Sequence, residues 1–410
     1  MRIREGTNLT KIKQTNDKSI LAMIYQKGPV SRGEVSRYLG ITLPTATTKI
    51  KEFLEEGILL ETEMEVQDYS LGRKATAVDI ARDSRYVIGI EWSPYGPVCC
   101  VSDLRGKVLA KNKFEKQSGS EVKIIDMKYD WMLTVTKEQI EAVLAESGIP
   151  RDKILGVGWT SPGMIEAERG IIVRSSMNHV KWNHMPVKAD LEALLSMPVA
   201  VINHVKARAI GQDMFCREDR PEVYLYYFVQ EGISCCIMID GEPFGKGCYG
   251  TGDIGHTIMD IHGPVCACGK RGCLQAFSGE QAIRNNAAVL LEARKCSTVE
   301  GDHIRHIPSI QEIMGAAECG DEELAALLKT AVLYMGISIA NIMNLVNSQL
   351  VVIDSTLMEN RSLREYLDQV IQEHILFKTE VGFKTEYIMA SRYTGAQGAC
   401  ALAVKELLIR

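Results

Sequence analysis

Positions 256–273 read HTIMDIHGPVCACGKRGC, and this stretch carries the most specific local signal in the chain. Cys266, Cys268 and Cys273 fall close together, and two intervening glycines permit the tight turns that direct three thiols inward. His256 precedes the first of them by ten residues. One imidazole and three thiolates form a closed tetrahedral ligand set for Zn²⁺, and a site with no open position is structural. The sequence therefore predicts a structural zinc site at these four residues.

Other arrangements of the same stretch stay open on the sequence alone. Two of the thiols could form a redox pair, or the cysteines could cluster by chance. His262 lies closer to Cys266 than His256 does, so it competes as the fourth ligand.

The composition is that of a soluble globular protein, with 46% hydrophobic and 24% charged residues in a chain of 410. A chain of this length is expected to form two or three domains. No stretch of about 18 residues is apolar and uncharged, which argues against a membrane span. The segment Met1–Gly6 has no apolar core behind its charges, so we expect no secretory signal. Twelve cysteines without such a signal favour the cytoplasm and free or metal-bound thiols.

Basic residues concentrate at the N-terminus, although the net charge of the chain is −5. Residues 1–51 hold ten Lys or Arg and three acidic residues, and residues 52–68 hold seven acidic residues and no basic one. A basic segment of this kind can face nucleic-acid phosphates, although an ordinary solvated surface can have the same charge.

Three helices followed by two strands are predicted in this region. The first helix covers about residues 16–26, and the second follows Ser31, whose hydroxyl forms a capping box with Glu34. The third helix follows Thr42 and ends near Glu56. Apolar strands at about 58–60 and 76–80 would then form a wing. This order is typical of a winged helix-turn-helix, and a three-helix protein-interaction module is the alternative.

The start of the third helix would face base edges in the major groove, and neighbouring cations would contact phosphates. Threonine hydroxyls can donate or accept hydrogen bonds, and their methyl groups can contact thymine. An arginine at the wing tip can enter a narrow minor groove. The predicted DNA-contacting residues are Arg32, Thr42, Thr45, Thr47, Thr48, Lys49, Arg73 and Lys74, with Arg37 and Lys51 as further phosphate contacts.

After about residue 85, short apolar strands in meander order alternate with helices, which predicts an α/β fold with two lobes. The expected strands include 86–91, 98–103, 154–159, 199–202, 224–228, 234–239 and 350–353. Long helices are expected at about 122–147, 280–295, 322–346 and 362–374.

The chain resembles the ROK family (repressors, open reading frames, kinases), in particular its xylose and N-acetylglucosamine repressor branch. The resemblance rests on the Cys-x-Cys-Gly-x-x-Gly-Cys run with Gly255-His256, which is specific to the family. Individually weaker matches are the segments 28–32, 72–73, 161–163 and 394–399, together with Asn178 and Trp182.

The resemblance implies a winged helix-turn-helix followed by a two-lobed, actin-like ATPase fold with ligands in the cleft between the lobes. We expect a DNA-binding domain over residues 1–82. A first effector lobe is expected over 83–203, completed by about 394–410, and a second lobe with the zinc site over 204–393. Repressors of the family bind operators as dimers or tetramers, and many are released by a sugar.

The nucleotide-binding segments of the family's kinases are altered here. An Asp-x-Gly-Gly-Thr loop is replaced by Glu91–Tyr95, which lacks both glycines and has a proline without an amide hydrogen. The second, glycine-rich loop reads VQEGI at 229–233, with an acid where phosphates would bind. A glycine pair near the adenosine is replaced by Asp354-Ser355.

The catalytic base is altered as well. Kinases of the family use the Asp of an Asn-Asp pair, and the pair here is Asn203-His204. A histidine can act as a base, but without phosphate loops it would have nothing to catalyse. We therefore expect no catalytic residue and no enzymatic activity, with His204 as a polar cleft residue.

The family's sugar contacts are partly retained. Asn203 and His256 match the pattern, whereas Asp253 and Gln275 stand where the family has Glu. We expect an altered ligand preference or weaker sugar binding. The candidate ligand-binding residues are Gly163, Asn178, Asn203, His204, Asp253, His256 and Gln275.

These observations predict a cytoplasmic transcriptional regulator, most simply a repressor. It would bind operator DNA as a homodimer or homotetramer and respond to a sugar or sugar derivative. Two alternatives are a sugar kinase with a DNA-binding appendage and a regulator whose effector lobes no longer bind a ligand.

Overall fold

The computed structural model describes residues 9–63, 76–114, 128–177, 181–216, 220–245, 249–295, 307–376, 382–389 and 391–409. The chain divides into two compact units. Unit 1 comprises Met1–Arg217 and Tyr393–Arg410, and unit 2 comprises Glu218–Arg392. Unit 1 thus contains both the predicted DNA-binding region and the predicted first lobe.

The DNA-binding region begins unit 1 with three helices and a small antiparallel sheet. The elements are α1 (Leu9–Lys27), β1 (Val30–Ser31), α2 (Arg32–Leu39), α3 (Leu43–Glu55), β2 (Leu59–Glu63) and β3 (Thr76–Ile80). The strands pair in the order β1-β3-β2. The capping box of Ser31 and Glu34 is present at the start of α2. The predicted helix-turn-helix is confirmed, and the wing tip at 64–75 lies outside the described residues.

The rest of unit 1 is an α/β sandwich. Its elements are β4 (Tyr86–Ser93), β5 (Gly96–Asp103), β6 (Val108–Lys113), α4 (Tyr129–Ser147), β7 (Ile154–Ser161), β8 (Gly163–Glu166), β9 (Ile171–Ser175), β10 (Asn183–Met185), α5 (Val187–Leu195), β11 (Val199–Asn203) and α6 (His204–Phe215). The main sheet has the order β11-β7-β4-β5-β6, and β10-β9-β8 form a smaller sheet. Strands β4, β7 and β11 are parallel, and β4, β5 and β6 form an antiparallel meander.

Unit 2 repeats this strand arrangement. Its elements are β12 (Val223–Val229), β13 (Ile233–Ile239), β14 (Glu242–Pro243), α7 (Leu274–Ser278), α8 (Glu280–Lys295), α9 (Ile310–Glu318), α10 (Glu322–Val346), β15 (Leu350–Ser355), α11 (Arg361–His374) and β16 (Lys384–Ile388). The order is β14-β13-β12-β15-β16, with a meander on one side and two parallel strands on the other. Two sheets of the same order define the actin-like fold, so the predicted fold class is confirmed.

The last helix of the chain, α12 (Thr394–Val404), returns to unit 1 and packs on β4, β7 and α6. Its approach to the sheet is very close, since a Cβ on Gly158 would lie 1.8 Å from the carbonyl oxygen of Ala399. Only a residue without a side chain permits this contact.

The DNA-binding region shares a hydrophobic core with the first lobe. Ile20, Ile24 and Ile50 belong to the same buried cluster as Leu104 and Cys400. Burial of this kind is the main favourable contribution to folding. The DNA-binding region is therefore packed onto unit 1 rather than connected to it by a free linker.

Helix α10 has the length and apolar composition of a membrane-spanning helix. It packs against α7, α9 and α11, and many of its side chains are buried in the core of unit 2. These contacts are those of the central helix of a globular unit.

Candidate DNA-binding surface, effector residues and metal centre

The predicted recognition helix presents threonines at its surface. Thr42 caps α3, and its hydroxyl accepts a hydrogen bond from the backbone N–H of Thr45 at 3.3 Å. Thr47 and Thr48 are exposed on the first turns of the helix, while Ala46 and Ile50 face the core. The exposed hydroxyls lie where a helix-turn-helix contacts base edges.

The predicted phosphate contacts differ in their surroundings. Arg32 is paired with Glu61 at 2.6 Å, and both side chains remain partly exposed. The ammonium of Lys49 is largely buried and contacts Glu52 at 2.6 Å and Asp17 at 3.2 Å. This position does not support a phosphate contact for Lys49, whose charge instead links α3 to α1.

The remaining predicted cations are exposed or outside the described residues. Arg37 and Lys51 are exposed on α2 and α3. Arg73 and Lys74 belong to the segment 64–75 and lie outside the described residues.

Sequence reasoning missed two exposed side chains on the same surface. Tyr38, near the end of α2, is 68% exposed, and Leu43, the first residue of α3, is 50% exposed. Large exposed side chains beside a predicted interface are candidates for contacts with the bound partner. In the sequence, their position next to the turn between α2 and α3 is the feature that could have indicated such a contact.

The predicted metal ligands come together in unit 2. One ligand atom from each of His256, Cys266, Cys268 and Cys273 lies within 4.8 Å of the other three. The Sγ of Cys266 is 3.7 Å from Nδ1 of His256, and the Sγ atoms of Cys268 and Cys273 are 3.6 Å apart. In a tetrahedral zinc site with Zn–S near 2.3 Å, ligand atoms are separated by about 3.5–3.8 Å. The residues therefore fit a tetrahedral cation, and His262 is not part of this group.

The backbone around the cluster is folded tightly enough to fix the ligands. Cys266 N–H donates to the Lys270 carbonyl at 2.8 Å, and Gly272 N–H donates to the Pro264 carbonyl at 2.8 Å. Gly272 has φ +69, and a Cβ there would lie 1.5 Å from the carbonyl oxygen of Asp260. Glycine is therefore required at this position.

The thiols of the cluster have opposite pKa shifts. The backbone N–H of Lys270 is the main reason that the pKa of Cys268 is lowered. Burial, followed by the neighbouring thiols, raises the pKa of Cys273 to about 12. The three thiols thus lie close together, and a divalent cation bound among them would stabilise their thiolate forms.

Three predicted effector residues of unit 1 are brought together at the start of α6. The Oδ1 of Asn203 accepts from the backbone N–H of Val205 at 2.9 Å, and its Nδ2 donates to the Gly163 carbonyl at 2.9 Å. Asn203 therefore caps α6 and fixes the start of β8. His204 is the first residue of α6, and Asn178 lies outside the described residues.

The pKa of His204 is lowered to about 3, chiefly by burial and then by the positive charge of Arg208, against a hydrogen bond with the Ser161 backbone. The imidazole is consequently neutral at neutral pH and a weak base.

Three more predicted effector residues lie in unit 2. Asp253 precedes a short 3₁₀ turn, His256 is its last residue, and Gln275 lies at the start of α7. The Oε1 of Gln275 packs on Gly255, since a Cβ there would come within 2.9 Å of it. His256 directs Nδ1 to the cysteines, which leaves Nε2 on the opposite side of its ring.

The first kinase phosphate loop is replaced by a closed hairpin and a buried ion pair. Glu91 receives hydrogen bonds from Nε and Nη2 of Arg208 at 3.0 and 2.9 Å, and both side chains are buried. Trp92 is fully buried, and its Nε1 donates to the Thr136 hydroxyl at 2.9 Å. Neither residue leaves room for backbone amides to surround a phosphate.

The second phosphate segment is acidic. Glu231 lies in the β12–β13 turn, and the pKa of Glu280 is raised chiefly by burial and further by the charges of Glu231 and Asp354. Three neighbouring carboxyl groups would repel the phosphates of a nucleotide. The altered loops therefore disfavour phosphoryl transfer.

Comparison with known proteins agrees with both parts of the fold. A sequence model of the ROK family matches residues 88–406, and one of winged helix-turn-helix DNA-binding domains matches residues 13–59. A xylose repressor of Caldicellulosiruptor bescii is 25% identical over 406 residues, which cover 98% of each chain. The transcriptional repressor Mlc of Escherichia coli is 23% identical over 350 residues, which cover 85% of this chain and 83% of Mlc.

Solved structures show the same fold. A ROK transcriptional regulator described as a homologue of Mlc has a TM-score of 0.80 at 23% identity, covering 97% of this chain and 98% of its own. A ROK hexokinase of Thermus thermophilus has a TM-score of 0.61 at 21% identity, covering 77% of this chain and 97% of its own.

A winged helix-turn-helix joined to a sugar-kinase-like fold with altered phosphate segments defines a DNA-binding transcriptional regulator and not a kinase. The chain belongs to the ROK family.

The lowered pKa of His204 predicts a neutral imidazole well below pH 6. In unfolded chains a histidine titrates near pH 6.5, so the folded protein loses stability as pH falls from about 6.5 towards 3, because only the unfolded state takes up this proton. We expect the His204 ring signals in NMR spectra, assigned with His204→Gln, to stay unchanged from pH 8 to about pH 5. Titration of these signals near pH 6.5 would contradict the structure.

Proposed function

We propose that this regulator represses transcription by placing α3 in the major groove of operator DNA and that a sugar or sugar derivative changes its affinity for that DNA. The observation that carries the proposal is the capped helix α3 with exposed Thr42, Thr47 and Thr48 beside exposed cations. Two relatives that match most of this chain are named repressors.

The proposed base-reading residues are Thr42, Thr45, Thr47 and Thr48, and the proposed phosphate contacts are Arg32, Arg37, Lys51, Arg73 and Lys74. Operators read by a helix-turn-helix commonly have two half-sites that match a protein two-fold axis. We therefore propose that the protein acts as a homodimer or homotetramer. We also propose that it is located in the cytoplasm.

The proposed effector is a sugar or sugar derivative. The candidate contact residues are Gly163, Asn178, Asn203, His204, Asp253, His256 and Gln275. Supporting observations are the close packing of Gln275 on Gly255 and the tether between Asn203 and Gly163. To shift DNA affinity, the sugar must bind one state of the protein more tightly than the other.

The proposed metal is a structural Zn²⁺ ion held by His256, Cys266, Cys268 and Cys273. Support comes from ligand separations that match a tetrahedral zinc site and from the one-His, three-Cys donor set. Because Gln275 follows Cys273 by two residues, the ion would also fix the start of α7 beside His256.

Substitutions on α3 test the DNA-binding proposal. We expect Thr47→Ala to weaken binding to an operator selected from random DNA by roughly tenfold and to relax the preference at one position. Lys51→Ala should weaken binding to every DNA sequence. It should also reduce the slope of the logarithm of affinity against the logarithm of salt concentration by about one. Fluorescence anisotropy at several salt concentrations measures both effects. Thr134→Ala, which removes an exposed hydroxyl of α4, is the matched control, and equal losses in the control would contradict the proposal.

A thermal-shift screen tests the effector. Zinc-loaded protein is examined with monosaccharides, amino sugars, sugar phosphates and ATP–Mg²⁺. One sugar should raise the unfolding temperature, since a ligand at 100 times its Kd adds about 2.7 kcal/mol. Asp253→Ala should abolish the shift, whereas Glu373→Gln on α11 should keep it. A shift with ATP–Mg²⁺ would favour a kinase, and no shift with any compound would favour a ligand-independent regulator.

Substitution of Gly272 tests the metal proposal without removing a ligand. Gly272→Ala drives a Cβ onto the Asp260 carbonyl, so we expect the zinc content to fall from about one ion per chain and the unfolding temperature to fall with it. Gly250→Ala is the matched control, because its Cβ would meet no atom within 4 Å. Metal analysis and thermal unfolding provide the readouts. Full zinc content in Gly272→Ala would show that the loop does not position the ligands.

A further inference from the structure

A cavity of about 400 Å³ opens in unit 1 where the DNA-binding region joins the first lobe. It is separate from the residues assigned to DNA and to the metal. Segments distant in sequence form it: the residues after β3, the β5–β6 turn, α6 and the first turn of α12. Its polar lining includes Arg82, Arg105, Lys107, Arg208, Thr394 and Gln397.

The lining is cationic. Four of its residues carry a positive charge and none is acidic. Asp79, Asp103 and Glu91 pair with the three arginines, and none of these carboxylates lines the cavity. Within the part of the chain that the structure describes, Lys107 has no ion-pair partner. Lys107 and the half-exposed Arg82 therefore present positive charge to solvent, whereas the side chains of Arg105 and Arg208 are largely buried in their ion pairs.

One buried carboxylate organises three of these cations. Asp103 accepts hydrogen bonds from the backbone N–H groups of Arg105 and Lys107, both at 2.9 Å, and so fixes the β5–β6 turn. Its other oxygen accepts from Nε of Arg82 at 2.7 Å. The carboxylate is 1% exposed. Asp103 thus fixes the side chain of Arg82 and the backbone of Arg105 and Lys107.

Arg105 carries an unused donor into this network. Its side chain is only 10% exposed, its Nη1 donates to the Tyr25 carbonyl at 2.5 Å, and its Nη2 binds Asp79. Its Nε is buried and has no hydrogen-bond partner within the described residues. A buried N–H without a partner is unfavourable, and the contacts of Nη1 and Nη2 hold the guanidinium in place.

The first turn of α12 forms part of the cavity wall. Thr394 is the first residue of this eleven-residue helix, and Gln397 lies on its first turn. The Glu91 carboxylate lies against Gly395 in the same turn and balances the partial positive charge of the helix N-terminus. Guanidinium groups and an ammonium group therefore supply the positive charge of the cavity.

We propose that this cavity binds a small phosphate monoester. Guanidinium groups match the oxygens of a phosphate, and their charge-assisted hydrogen bonds are among the stronger ones in proteins. The volume lies in the range of small-molecule sites, and Phe215 and Gly106 supply an apolar wall for the organic part of the ligand. Inorganic phosphate carries the same charged group and binds the same cations without using that wall.

The site has a regulatory consequence. Arg105 contacts Tyr25 of α1 and Asp79 of β3, while Arg208 and Gln397 belong to the effector fold. A phosphate held by Arg105 together with Arg208 and Gln397 stabilises the DNA-binding region in its packed position. Phosphate metabolites thereby act on DNA affinity at a site distinct from the proposed sugar residues.

The test is calorimetric titration of full-length, zinc-loaded protein with inorganic phosphate, glycerol 3-phosphate and a hexose 6-phosphate, with glycerol and the free hexose as uncharged controls. At least one monoester should bind, and more weakly as salt rises. Lys107→Ala should weaken this binding by about tenfold. Its backbone N–H still reaches Asp103, so the turn is retained. Lys137→Ala, on the exposed face of α4, should bind like the wild type.

One further variant separates this site from the proposed sugar site. Asp253→Ala should retain phosphate binding. If Asp253→Ala removes it and Lys107→Ala does not, the phosphate occupies the sugar site and the proposal is wrong. If no phosphate compound binds but Lys107→Ala weakens binding to DNA of any sequence, the cavity contacts the DNA backbone, which also overturns it.

Discussion

The buried pair between Glu91 and Arg208 is the interaction on which much of unit 1 depends. It joins the end of β4 to α6 by two hydrogen bonds, and the Glu91 carboxylate lies against Gly395 at the start of α12. Removing one partner of such a pair leaves an uncompensated buried charge, at a cost of about 3–5 kcal/mol. The same pair fills the position of a phosphate loop, and the charge of Arg208 contributes to the low pKa of His204. The altered phosphate-loop position and the packing of unit 1 thus involve the same two side chains.

A second constraint concerns how DNA binding is connected to the rest of unit 1. The hydroxyl of Tyr25 donates to the Leu104 carbonyl at 2.7 Å, and Arg105 packs 4.5 Å above the ring of Tyr25. Together with the shared hydrophobic core, these contacts couple α1 to the β5–β6 turn. A change in the first lobe can therefore reach α3 through packed side chains rather than through a flexible connection.

Local patterns in the sequence predicted much of the fold. The capping box of Ser31 and Glu34, the Thr42 cap and the apolar strands were readable because each depends on residues a few positions apart. The candidate metal-ligating residues were readable for the same reason. Contacts between distant segments were not. The pairing of Lys49 with Asp17, the tether from Asn203 to Gly163 and the network around Asp103 depend on tertiary packing. No spacing rule identifies such partners, so Lys49 was assigned to phosphate and the basic cavity was not anticipated.

The return of α12 to unit 1 has a consequence for synthesis on the ribosome. Ala396, Cys400, Ala403 and Val404 belong to the same buried cluster as the core of the DNA-binding region. The hydrophobic surface of the DNA-binding region is therefore not fully covered until α12, which follows much later in the chain, has been synthesised. A prematurely terminated chain would carry the recognition helix on an unfinished core and would become a substrate for chaperones and proteases.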